Sequence, residues 1–79
     1  MNQQIIFNDD MSFDDEKKEC SFTGLIAGER VTILIKAKDI VAFTNTVKFD
    51  FECQVEEWLE NNEPPTNRKI ELVYAQSNL

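Results

Sequence analysis

Apolar and polar residues alternate along three separate stretches of this chain. Gln4–Asn8 (QIIFN) reads as a short strand that stops at the polar run Asn8-Asp9-Asp10. In residues 17–27 (KKECSFTGLIA), Cys20, Phe22, Gly24 and Ile26 fall on one side. In residues 30–37 (RVTILIKA), Val31, Ile33 and Ile35 do the same. Ala27-Gly28-Glu29 joins the last two tightly, and Gly28 takes a positive φ without steric penalty, so the pair is predicted to form a β-hairpin. Near the end of the chain, Ile70, Leu72 and Tyr74 alternate with Glu71 and Val73, which predicts another strand over Lys69–Tyr74.

Between the strands the period changes. Lys38–Phe43 (KDIVAF) is expected to form a short helical turn. A longer helix follows, starting near Thr44 to Thr46, either of which can act as its N-cap, and running to about Asn61. On a helical wheel Val47, Phe51, Val55, Trp58 and Leu59 share one side, with Trp58 expected as the central anchor against Phe22, Ile33, Ile35 and Ile70. Asn61-Asn62 and Pro64-Pro65 end the helix, because proline disfavours helical geometry in the residue before it. The predicted order is strand, strand, strand, helix, helix, strand. That order implies one α+β domain over residues 1–79, with a small antiparallel sheet of three N-terminal strands and a C-terminal strand, and two helices packed on one face.

Charge adds a surface to this frame. From Phe49 to Asn67 the chain carries Asp50, Glu52, Glu56, Glu57, Glu60 and Glu63 and no base, within a formal net charge of −7. The long helix therefore has one apolar side and one strongly negative side. Phe49 and Cys53 interrupt the pattern, since they lie one turn apart among the acids. Either a neighbouring segment (residues 1–8 or the tail after Tyr74) covers them, or they form an apolar spot inside an acidic rim, the composition of a protein-binding surface.

The same residues exclude several chemistries. Without histidine and without a Cys-x-x-Cys pair, a structural zinc site is not expected. Asp9, Asp10, Asp14, Asp15 and Glu16 lack the ligand alternation and bend glycine of a calcium loop, since Met11, Ser12 and Phe13 interrupt them. Glu52, Glu56, Glu60 and Glu63 point away from the apolar stripe, whereas carboxylate catalysis requires burial or a tight cleft. No histidine-based triad and no Gly-rich phosphate loop exists, so the chain is read as a non-enzyme without cofactor. Its eight bases are scattered, which argues against direct nucleic-acid binding. No apolar run approaches the roughly 20 residues that span a bilayer, and the N-terminus lacks the pattern of a signal peptide. A cytoplasmic protein is expected, with Cys20 and Cys53 as reduced thiols and a single disulfide as the alternative.

Phe49-Asp50-Phe51-Glu52-x-Gln54-Val55-Glu56 resembles the helix start of the YrdB-like family of small bacterial proteins of unknown function. Ile5-Ile6-Phe7, Phe13-Asp14, Ser21-Phe22-Thr23-Gly24, Gly28 and Arg68-Lys69-Ile70-Glu71-Leu72 are similar to that family's other elements in order, so the resemblance covers nearly the whole chain. Phe13 stands where a Trp is usual, and the segment between Lys38 and Phe49 is shortened. The resemblance implies an α+β fold of antiparallel strands and helices, and implies no activity.

Function follows from surface rather than from chemistry. The leading expectation is a protein-binding module that meets a basic partner surface through Phe49, Glu52, Cys53, Glu56, Glu57, Glu60 and Glu63. The alternative is an inhibitor that imitates nucleic acid, as small anti-defence proteins of bacterial viruses do. A third reading is a homodimer formed through the outer helix or an edge strand.

Overall fold

The computed structural model describes residues 4–74. Along the chain run β1 (Ile5–Phe7), β2 (Ser12–Asp14), β3 (Glu19–Ile26), β4 (Glu29–Lys36), α1 (Asn45–Asn61) and β5 (Lys69–Val73). The class is α+β, as the periodicity predicts. Its composition differs from expectation, with one helix rather than two and a mixed sheet of five strands.

The β3–β4 hairpin is the centre of the sheet. Its register runs from Ile26↔Glu29 to Glu19↔Lys36, which leaves only Ala27 and Gly28 in the loop. Both have positive φ, 53° and 80°, as the tight turn that matches strand twist requires. Alternation along both strands buries Cys20, Phe22, Ile26, Val31, Ile33 and Ile35 on the side that α1 covers.

One edge of β3 serves two short strands in turn. β1 pairs antiparallel with its far end (Ile5↔Ile26, Phe7↔Gly24), and β2 with its near end (Ser12↔Ser21, Asp14↔Glu19). Gly24 is required where β1 crosses: a Cβ there would lie 2.8 Å from the Ile5 side chain and 3.1 Å from the Ile6 carbonyl oxygen. Between the two strands the chain leaves the sheet through Asn8–Met11, with Asp9 at φ 55°. Asn8 N–H still donates to the Thr23 carbonyl at 3.0 Å, and a carboxylate takes over the next position, as described below. The acidic run Asp9-Asp10 is thus part of the sheet edge. β2 was not anticipated.

The sheet is not wholly antiparallel: β5 joins β4 in parallel, Thr32↔Lys69 through Lys36↔Val73. The physical reason is the connection. A parallel neighbour needs a long crossover, and α1 supplies it while covering the sheet's apolar face.

The helix expected over Lys38–Phe43 does not form; the segment is turn and bend. Six residues with adjacent β-branched Ile40 and Val41 cannot offset the cost of nucleating a helix. Ile40 instead plugs the core at 4% exposure while Val41 stands in solvent at 97%. Phe43 stacks on Phe13, with ring centroids 5.1 Å apart and planes at 13°.

Candidate partner-binding face of the helix

Local signals fix α1 at both ends. Thr44 is the N-cap, its Oγ1 accepting the Val47 N–H at 3.3 Å. At the other end Asn61 Nδ2 donates to the Glu57 carbonyl at 3.3 Å and Asn62 Nδ2 to the Trp58 carbonyl at 2.9 Å, so both amides fold back onto the last turn of the helix.

The inward direction of α1 runs through Phe51, Val55 and Leu59, a row at i, i+4 and i+8 that is almost fully buried. Trp58, expected as the central anchor, lies on the flank of this row and is only half-buried. The apolar arc lies where the spacing predicts, with Phe51 rather than Trp58 at its centre. Phe51 holds the central place, with Phe43 and Tyr74 packed about it at ring-centroid distances of 6.1 and 5.0 Å. Tyr74 also donates its hydroxyl to Asp50 Oδ2 at 3.2 Å, tying the end of β5 to the first half of the helix.

Phe49, Cys53, Glu56, Glu57 and Glu60 share the outer arc that follows from this orientation. Phe49 is 64% exposed, so no described segment covers it. Of the coverings considered, residues 4–8 lie at the β3 edge of the sheet, and the tail after Tyr74 lies outside the described residues. Cys53 is half-buried within the helix surface. Burial raises its thiol above the ordinary value, and the negative charges of Glu56, Asp50, Glu52 and Glu57 raise it further. By contrast, Cys20 is sealed in the core, where burial pushes its thiol up to about 12.

Two predicted residues fall outside the group. Glu52 is half-buried on the flank that faces Phe7, Met11 and Lys48. Glu63 lies beyond the helix, in the wall of a cleft of about 470 Å³ between the β3–β4 turn and Pro64-Pro65. There Glu29 and Arg68 form an exposed ion pair at 2.8 Å.

The helix carries its charge against its own dipole. Its first turn has no acid and its last turn has no base. Glu57 and Glu60 thus stand beside the negative end of the helix, where they add to its potential at some cost to the fold.

Sequence reasoning missed two polar side chains. Asp10 accepts from both the main chain and the hydroxyl of Thr23, and Gln54 Nε2 donates to the Val73 carbonyl at 3.0 Å. Among the described residues, Gln54 Oε1 is buried without a partner. Among the described residues no group of three or more Cys, Asp or Glu side chains is placed to hold a metal ion, and no helix is long and apolar enough to cross a membrane.

This arrangement matches the crystal structure of a protein of unknown function from the DUF1488 family of Shewanella loihica PV-4. The two superpose with a TM-score of 0.61 at 24% sequence identity, over 90% of this chain and 93% of that one. At this identity the likeness establishes the α+β fold alone. No family model matches the chain, and no curated protein does.

Proposed function

We propose that this chain is a non-enzymatic protein-binding module that works in the cytoplasm and docks a basic partner surface on the outer face of α1. Phe49 is the apolar anchor, and Glu56, Glu57 and Glu60 form the charged surround. Glu52 and Glu63 flank the face rather than form it. The observation that carries this reading is the exposure of Phe49 in an arc otherwise made of acids, beside a thiol that four of the helix's acids perturb. An apolar centre with a polar rim is the usual anatomy of a protein interface, and a negative field speeds encounter with a positive one. Two free cysteines fit a reducing compartment.

The test is affinity capture from host lysate at low and high salt, run beside a variant with Glu56, Glu57 and Glu60 changed to Lys. The expected result is a salt-sensitive partner that the triple variant fails to retain. Equal retention by the folded variant would end this assignment. Displacement of the partner by duplex DNA would replace it with nucleic-acid mimicry.

A further inference from the structure

β5 forms one edge of the sheet, and among the described residues it bonds to β4 alone. The register Ile33↔Ile70 and Ile35↔Leu72 turns the main-chain groups of Ile70 and Leu72 toward β4. The flanking bonds agree: Thr32 N–H donates to the Arg68 carbonyl at 2.9 Å, and Tyr74 N–H to the Lys36 carbonyl at 2.7 Å. The groups of Lys69, Glu71 and Val73 therefore point outward. Two of them are already occupied from within the chain. Lys69 N–H donates to Asn67 Oδ1 at 3.1 Å, and the Val73 carbonyl accepts from Gln54. The Lys69 carbonyl, both groups of Glu71 and the Val73 N–H remain open among the described residues.

We infer that this edge pairs with β5 of a second copy of the chain, antiparallel about a twofold axis, in the register Lys69↔Glu71. Charge selects both the occupant and the register. A pairing centred on Glu71 would set that carboxylate against its own copy, and like charges directly opposite are destabilising. Centring on Ile70 sets Lys69 against Glu71 of the second copy, and symmetry repeats the pair. Both side chains are exposed, on the sheet face that α1 leaves uncovered. In this register Glu71 N–H reaches the Lys69 carbonyl of the second copy, and the twofold axis repeats that bond. The Lys69 N–H, which faces the Glu71 carbonyl of the second copy, gives up its bond to Asn67 on pairing, whereas the Gln54 bond to the Val73 carbonyl lies outside the Lys69↔Glu71 pairs and is kept. Trp58, one turn beyond Gln54 and on the same flank of α1, stands beside the seam. This inference is independent of the acidic face.

Sedimentation velocity of the full chain from micromolar to millimolar concentration tests it, with Trp58 fluorescence followed over the same range. The wild type is expected to pass from monomer to dimer as the Trp58 emission shifts. Glu71→Lys and Lys69→Glu should each weaken the dimer roughly fivefold or more, because each turns two attractive cross-strand pairs repulsive. The double swap Lys69→Glu with Glu71→Lys should restore it. Circular dichroism confirms that the surface variants fold. A wild type that stays monomeric throughout, or a dimer indifferent to all three variants, would overturn the inference.

Discussion

The carboxylate of Asp10 holds Thr23 at two points, Oδ1 accepting its main-chain N–H at 2.8 Å and Oδ2 its hydroxyl at 2.5 Å. Asn8 Nδ2 donates to the same hydroxyl at 2.9 Å. A side chain thereby stands in for the strand carbonyl that is missing where β1 gives way to β2. The Thr23 hydroxyl and then its N–H hold the Asp10 carboxyl below the usual carboxylate range. Stability from a depressed carboxyl is fully present above the unfolded-state pKa and fades as pH falls toward the folded-state value. Asp10→Asn should therefore lower the melting temperature at neutral pH, and the gap to wild type should close on acidification. Thermal melts across that range check it, with Asp9→Asn as a nearby change expected to matter less.

Phe51→Ala should cost about 3–5 kcal/mol, the usual range for truncating a fully buried Phe. A chain this size has about 4–12 kcal/mol of total stability at roughly 0.05–0.15 kcal/mol per residue, so the variant should lose a large fraction of it and melt far below wild type. Trp58→Ala, from a half-buried position, should leave a cooperative melt. The reverse ranking by denaturant titration would mean that α1 is rotated about its axis.

Ala27 holds φ 53° in the hairpin loop, a region where an L-residue with a Cβ is strained by roughly 1–2 kcal/mol. Asn tolerates it far better, and Asn-Gly is the preferred pair in such loops. Ala27→Asn should raise stability by about 1 kcal/mol, or roughly 4–8 °C in melting temperature for a domain of this size. Gly28→Ala should lower it, because a Cβ there meets no neighbouring atom and only the φ of 80° opposes it. Calorimetry of both variants distinguishes conformational strain from packing.

Glu60→Lys should stabilise the fold, by about 0.3–1 kcal/mol at low salt, because it replaces an anion with a cation at the negative end of α1. If the acidic face binds a basic partner, the same substitution should slow association. Stability and binding moving in opposite directions is an outcome that a purely structural role for Glu60 does not produce. Melts and stopped-flow association at two salt concentrations read the two effects separately.

Glu56→Gln with Glu57→Gln should speed alkylation of Cys53 by a neutral reagent near neutral pH, since removing the two charges lowers the thiol pKa toward its ordinary value. Cys20 should stay unmodified in the folded protein. Mass spectrometry after timed quenching locates the adduct.

Local signals in the sequence were reliable. The tight hairpin turn around Gly28, a threonine cap at the helix start, the end of the helix near Asn61 and the alternation of Ile70, Leu72 and Tyr74 each depend on neighbours within a few positions. Direction was not legible, because a period of two is the same for a strand that runs parallel or antiparallel. β2 was missed because Ser12-Phe13-Asp14 offers one aromatic and no alternation to count. The grouping of Phe49, Cys53, Glu56, Glu57 and Glu60 follows from helical spacing alone. Gln54 and Asp10 could not be placed, since their partners lie 19 and 13 residues away.

The parallel seam between β4 and β5 also sets an order of events. The β3–β4 hairpin closes over two residues, a step on the microsecond scale. β5 reaches β4 only after everything from Ala37 to Arg68 has been threaded across the sheet, and loop closure of that length delays the reward of contact. In the interval Val31-Thr32-Ile33-Leu34-Ile35 is an unpaired β-branched edge, the kind that recruits other chains. Substitutions that speed helix formation, and with it the delivery of β5, should therefore improve soluble yield even where the finished fold gains nothing.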